Sequence, residues 1–195
     1  MLPLHRLYSD IKNLLEQKKR IIIAVDGMSA AGKSSFAGEL AKLYKCNLIH
    51  MDHFFLRPEQ RTSGRLETPG GNIDIERFLI EVAEPLASGK PFSYRPYDCK
   101  TQKFSRSVDV EPESLTIVEG VYSTSPDICK KNIYDITIFM RIDDAKQLQR
   151  LKERNPGLYS RFINEWIPME NLYFEAFGIP EKCDYIIEDT IIIEK

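Results

Sequence analysis

The chain has 195 residues, 43% of them hydrophobic and 29% charged, a balance that suits one folded domain and is short for two. Lys and Arg number 27 against 29 Asp and Glu, so the formal charge of −2 excludes a global positive field for holding nucleic acid or an acidic membrane surface. No apolar run approaches the ~20 residues of a membrane span and no signal-peptide core opens the chain, so the expectation is a cytoplasmic protein with no nucleic-acid or membrane partner.

In chain order, Leu4, Leu7, Ile11, Leu14 and Leu15 fall at helical spacing and predict an amphipathic leading helix over 4–18, an accessory spanning 1–19. The basic run Lys18-Lys19-Arg20 sits at its end, where positive charge complements the helix dipole. Arg20 to Val25 is short, β-branched and almost wholly apolar, which predicts a strand covered on both faces. A glycine-rich loop follows, then a helix to about Tyr44 with Phe36, Leu40 and Leu43 as its inner stripe. Residues 46–51 predict a second strand, 58–72 a polar turn-rich stretch, and 74–88 one helix closed by Gly89. Residues 91–110 read as loop or short antiparallel strands, an insertion over 90–112. Strands follow at 115–120 and 135–142, helices at about 144–154 and 159–177, and terminal strand material at 184–193. The four cysteines, Cys46, Cys99, Cys129 and Cys183, are scattered without a CxxC pair and read as reduced thiols. The alternation predicts a single α/β domain over 1–195: three layers, with a mainly parallel central sheet and helices on both faces.

The loop between the first buried strand and its helix reads Gly27-Met28-Ser29-Ala30-Ala31-Gly32-Lys33-Ser34-Ser35, a match to GxxxxGK[ST] in the context that pattern requires. Glycines let successive N–H groups turn inward onto phosphate oxygens, and the helix beginning near Lys33 adds its positive dipole end. Lys33 is expected to reach the β- and γ-phosphates of ATP, and the Ser34 hydroxyl to ligate Mg²⁺. Asp52 lies at the carboxyl end of the second strand, where ligands gather in open α/β sheets; it suits either a general base for an acceptor hydroxyl or a metal ligand acting through water. Arg154 to Glu165 places breakers and Arg161 between two helices, which predicts a small lid over 154–165 with Arg161 as a charge clamp on ATP. Trp166 is expected to pack that lid helix, and His5, His50 and His53 show no ligand spacing.

Beyond the loop, the chain resembles the uridine kinase family of P-loop kinases. Met51-Asp52-His53-Phe54-Phe55 is similar to the family segment whose Asp is the general base, and Glu119-Gly120 to the pair whose carboxylate helps hold Mg²⁺. Tyr97-Asp98 looks like the opening of the family's base-binding segment, and Arg150 with Arg154 like its paired arginines near ATP and the transferred phosphoryl group. The resemblance implies Lys33, Asp52, Arg150 and Arg154 as catalytic residues, Ser34, Asp52 and Glu119 around Mg²⁺, and His53, Asn72, Tyr97, Asp98 and Gln102 toward the acceptor. Two family features differ: the Asp-His-Pro segment is replaced by Gly70-Gly71-Asn72-Ile73-Asp74, and the His after Tyr-Asp by Cys99-Lys100-Thr101-Gln102. Both sit on the acceptor side. The implied activity is ATP-dependent phosphorylation of a small hydroxyl compound, a nucleoside such as uridine or cytidine first. Pantothenate, ribulose phosphate, nicotinamide riboside or a nucleoside monophosphate are the related alternatives, with a nucleotide-controlled ATPase or switch as the competing class. Self-association is left open by the sequence.

Overall fold

The computed structural model describes residues 2–188 and 191–193, so part of the 184–193 terminal segment lies outside the described residues. Five strands form a parallel core in the order β10 (Tyr185–Glu188), β9 (Ile136–Arg141), β2 (Ile21–Gly27), β8 (Leu115–Glu119) and β3 (Cys46–His50). Two short antiparallel strands, β11 (Ile191–Ile193) and β1 (Leu2–Pro3), extend the β10 edge to seven strands. β2 is buried at every position because it has a parallel neighbour on each side and apolar layers on both faces. One layer contains α1 (His5–Gln17), docked through Leu7 and Ile11, and α2 (Lys33–Leu43), docked through Phe36, Ala37 and Leu40. The other contains Phe54, Phe78, Val82, Tyr122, Tyr173 and Phe174. The expected three-layer α/β architecture is therefore the observed one.

The differences lie outside the sheet. The helix expected over 74–88 is three pieces, Ile75–Phe78, a π-helical turn Leu79–Ala83 and Glu84–Ser88, with Pro85 opening the last. A proline ring and its missing N–H perturb the regular ladder, and π turns are one way a helix absorbs such a break. The 159–177 helix divides in the same way into Tyr159–Arg161, a π turn Phe162–Trp166 and Ile167–Phe177, with Pro168 just after the break. The polar stretch at 58–72 contains a short 3₁₀ turn, Pro58–Gln60, and a helix, Ser63–Glu67, capped by the Thr62 hydroxyl. A further short helix, Pro126–Cys129, has no periodicity to announce it. The 91–110 segment is two small antiparallel pairs, β4 (Phe92–Tyr94) with β7 (Val108–Val110) and β5 (Tyr97–Asp98) with β6 (Lys103–Phe104). No helix among the described residues is long and apolar enough to cross a membrane.

Candidate active site

The carboxyl ends of β2, β3 and β8 meet at one edge of the sheet, and each is followed by a segment bearing a polar side chain aimed at its neighbours. The loop after β2 crosses so close to β9 that a Cβ at Gly27, with φ of 132°, would lie 2.0 Å from the Met140 carbonyl oxygen. Gly32, at φ 98°, caps α2 without a side chain, so the first-turn N–H groups of that helix face the loop's mouth. The Lys33 ammonium lies buried beneath the loop and donates to the Gly27 and Met28 carbonyls at 2.8 and 2.9 Å. The Ser34 hydroxyl faces both Glu119 carboxylate oxygens at 3.2 Å.

Asp52 follows β3 in a 3₁₀ turn, Met51–Phe54. Water reaches it, yet protein crowds it on most sides, and this desolvation, with the Glu119 carboxylate second, raises its carboxyl; Lys33, His50 and Arg154 pull the other way. Arg154 thus acts electrostatically on Asp52 from the end of the Asp144–Arg154 helix, while Arg150, one turn earlier, donates to the Ala30 carbonyl at 3.1 Å. Tyr97 and Gln102 line a common cavity at the hairpin whose first strand packs against the Met51–Phe54 turn. Asn72 is buried beside the Tyr122 hydroxyl, and its Oδ1 has no hydrogen-bond partner among the described residues. Two expected site residues are not brought in. The Asp98 carboxylate accepts from the Lys100 N–H at 2.8 Å and the Thr101 hydroxyl at 3.0 Å, closing its own hairpin. Arg161 pairs with Glu165 one helical turn on, at 2.9 Å, and lies over the Trp166 ring at 4.7 Å, so the sequence position of a clamp is spent on a local pair. Trp166 packs on Phe162, within the segment expected as a lid.

Several residues that sequence reasoning passed over hold the site together. Asp26, fully buried, accepts from the N–H groups of Tyr122 at 3.1 Å and Thr124 at 2.9 Å, from the Thr124 hydroxyl at 2.7 Å and from the Tyr173 hydroxyl at 2.9 Å. It therefore ties the phosphate loop's strand to the segment after β8 and to the Ile167–Phe177 helix. Glu170 on that helix accepts from the Ser29 N–H at 2.9 Å and from the Ser29 hydroxyl; burial raises its carboxyl, and the Lys33 ammonium opposes the rise. The Gln147 amide donates to the Ser29 carbonyl at 2.9 Å. The signals were an acid ending an apolar central strand, and polar side chains on otherwise apolar helix faces. His50, without ligand spacing in the sequence, bonds Glu119 at 2.5 Å, and that bond raises its pKa.

His53 behaves oppositely. Its Nδ1 is 3.2 Å from the Tyr94 hydroxyl, and burial, reinforced by His50 and Arg77, lowers it from 6.5 to about 4. Its ring stays neutral in the fold where the unfolded chain takes up a proton, so this part of the stability is lost as pH falls from 6.5 toward 4. His50, with a raised pKa, contributes the reverse: stability present below its unfolded value and lost as pH rises through the folded one. His53→Gln should therefore gain roughly 1 kcal/mol relative to the parent between pH 7 and pH 5, allowing for the half-exposed ring. Urea unfolding at the two pH values checks this; an unchanged difference contradicts it.

Comparison with known proteins gives a consistent answer. No family model matches the chain. The uridine kinase of Streptococcus agalactiae is 27% identical over 191 residues, covering 90% of each chain. Among solved structures, a possible uridine kinase from Bacillus stearothermophilus superposes with a TM-score of 0.67 at 19% identity, covering 93% of this chain and 99% of that one. The D-glycerate 3-kinase of Cryptococcus neoformans has the same fold at a TM-score of 0.62 and 16% identity, covering 98% and 97%. Sequence similarity along nine-tenths of the chain, the shared fold and the phosphate loop together make this chain similar to uridine kinases and mark it as an ATP-dependent phosphotransferase with a P-loop kinase fold.

Proposed function

We propose that the chain, as a single kinase domain over 1–195, moves the γ-phosphoryl group of ATP to a hydroxyl of a small acceptor seated between Asp52 and the 97–104 hairpin. The supporting observation is the convergence of Lys33, Ser34, Glu119 and Asp52 at the carboxyl ends of adjacent parallel strands. The loop N–H groups and the Lys33 ammonium hold the triphosphate tail; in the free protein that ammonium rests on two loop carbonyls, which phosphate oxygens replace. A hydroxyl and a carboxylate facing each other at the loop's end are the hard oxygen donors that Mg²⁺ takes from protein, nucleotide and water supplying the rest, so Ser34 and Glu119 fit it. Mg²⁺ bound with the nucleotide supplies charge neutralisation at the transferred group. Asp52, its carboxyl raised toward the working pH, accepts the acceptor's hydroxyl proton, and Arg154 and Arg150 offset charge on the nucleotide side. Residues 154–165 serve as a short lid, 90–112 as the acceptor-side insertion and 1–19 as an accessory helix.

The acceptor that similarity to uridine kinases offers is the 5′-hydroxyl of a nucleoside. ATP consumption with and without acceptors tests the reading: it should depend strongly on an acceptor, and Asp52→Asn should lower kcat by about 10²–10⁴-fold while ATP affinity holds. Hydrolysis at the same rate without any acceptor would instead make the protein an ATPase or switch.

A further inference from the structure

A solvent-open cavity of about 460 Å³ lies at the 97–104 hairpin, whose first strand packs against the Met51–Phe54 turn that carries Asp52; Arg57, Glu59, Arg95, Tyr97, Lys103 and Phe104 are in its lining. This is a common size for a small-molecule site. Its lining contains three cations, Arg57, Arg95 and Lys103, against one carboxylate, Glu59.

The compensation of these charges is uneven. Arg57 shares Glu59 at 3.4 Å and Asp74 at 4.0 Å. Arg95 and Lys103 have no carboxylate within salt-bridging distance among the described residues; Arg95 lies instead over the Phe104 ring at 5.0 Å, with Arg57 on the same ring at 5.9 Å. The one carboxylate of the hairpin, Asp98, is turned into its own turn. Clustered like charges repel, and a neutral ligand covering them would remove water without supplying a counter-charge, at a desolvation cost. A phosphate or carboxylate group on the ligand supplies that charge and forms the strong charge-assisted bonds that guanidinium groups favour.

We infer that the acceptor is an anionic hydroxy compound, a phosphate monoester or a carboxylate, whose charged group sits among Arg57, Arg95 and Lys103 while its hydroxyl faces Asp52. This rests on the kinase reading and deepens it, replacing the neutral nucleoside with a charged acceptor. The cations also account for the missing family features on this side, since a site built for a charged group has no use for the residues that read ribose and pyrimidine.

The test uses the full chain with the phosphate loop already filled by Mg²⁺ and a non-hydrolysable ATP analogue. Inorganic phosphate titrated into that complex should give a further saturable rise in melting temperature, lost in the Arg95→Ala/Lys103→Ala double variant, whose changes are at exposed positions and spare the core. In turnover assays, sugar monophosphates or hydroxycarboxylates should be phosphorylated in preference to neutral nucleosides and free sugars. The arm that responds identifies which anion the site takes, and the double variant should raise KM for it at least tenfold with kcat nearly kept. Absence of the phosphate response, an equal response in the double variant, preference for neutral nucleosides, or turnover of neither class overturns the inference. Failure of the ATP analogue itself to stabilise the protein would overturn the kinase reading instead.

Discussion

Lys33→Ala should lower turnover by about 10³-fold or more while the protein keeps its fold. The ammonium is the cation already positioned within the phosphate loop, buried and held by two loop carbonyls. Removing one preorganised electrostatic contact commonly costs 10²–10³ in rate, and a phosphoryl transfer that depends on charge neutralisation loses at least as much. Lys33→Arg should not rescue it, because a planar guanidinium cannot occupy the narrow space in which a tetrahedral ammonium meets Gly27 and Met28. Circular dichroism and a melting curve should show a folded protein; activity near that of the parent would remove the loop from the reaction.

The second large effect is on stability. Asp26→Ala should cost about 3–5 kcal/mol, a large part of the 5–15 kcal/mol that holds a typical domain folded. The substitution strands three buried N–H groups, those of Gly27, Tyr122 and Thr124, with the Thr124 and Tyr173 hydroxyls, each of which gave up water for the Asp26 carboxyl. Asp26→Asn should lose less, since one carbonyl oxygen still accepts while the amide faces donors. Urea unfolding measures both; a loss below about 1 kcal/mol for Asp26→Ala would show that the three segments are held together by packing alone.

The interior of the sheet was legible in the sequence because β2 and β8 are short, largely apolar runs bounded by loops, and an interior parallel strand has no solvent face to interrupt that pattern. The phosphate loop was legible because its backbone demands glycine at fixed positions, as the contact between Gly27 and Met140 makes concrete. The His50–Glu119 pair was not, since it joins residues 69 apart in sequence that become neighbours only when β3 lies beside β8. The same holds for Glu170 on Ser29, 141 residues apart. On the acceptor side, Tyr97-Asp98 suggested two ligand contacts; successive residues of a strand face opposite sides, and here Tyr97 lines the cavity while the Asp98 carboxylate accepts within its own turn. The arginines that surround that cavity come from separate, turn-rich segments with no shared spacing, so only folding reveals them as a group.

The central claim is that a phosphoryl group passes from nucleotide to alcohol at this site. Incubating the protein with Mg²⁺, ATP labelled in its γ-phosphate and a mixture of small hydroxy compounds, then following the label, tests it directly. Label should appear in an acid-stable phosphomonoester, formed by the parent protein and absent with Lys33→Ala. Label released only as inorganic phosphate, at a rate indifferent to the hydroxy compounds, would contradict it.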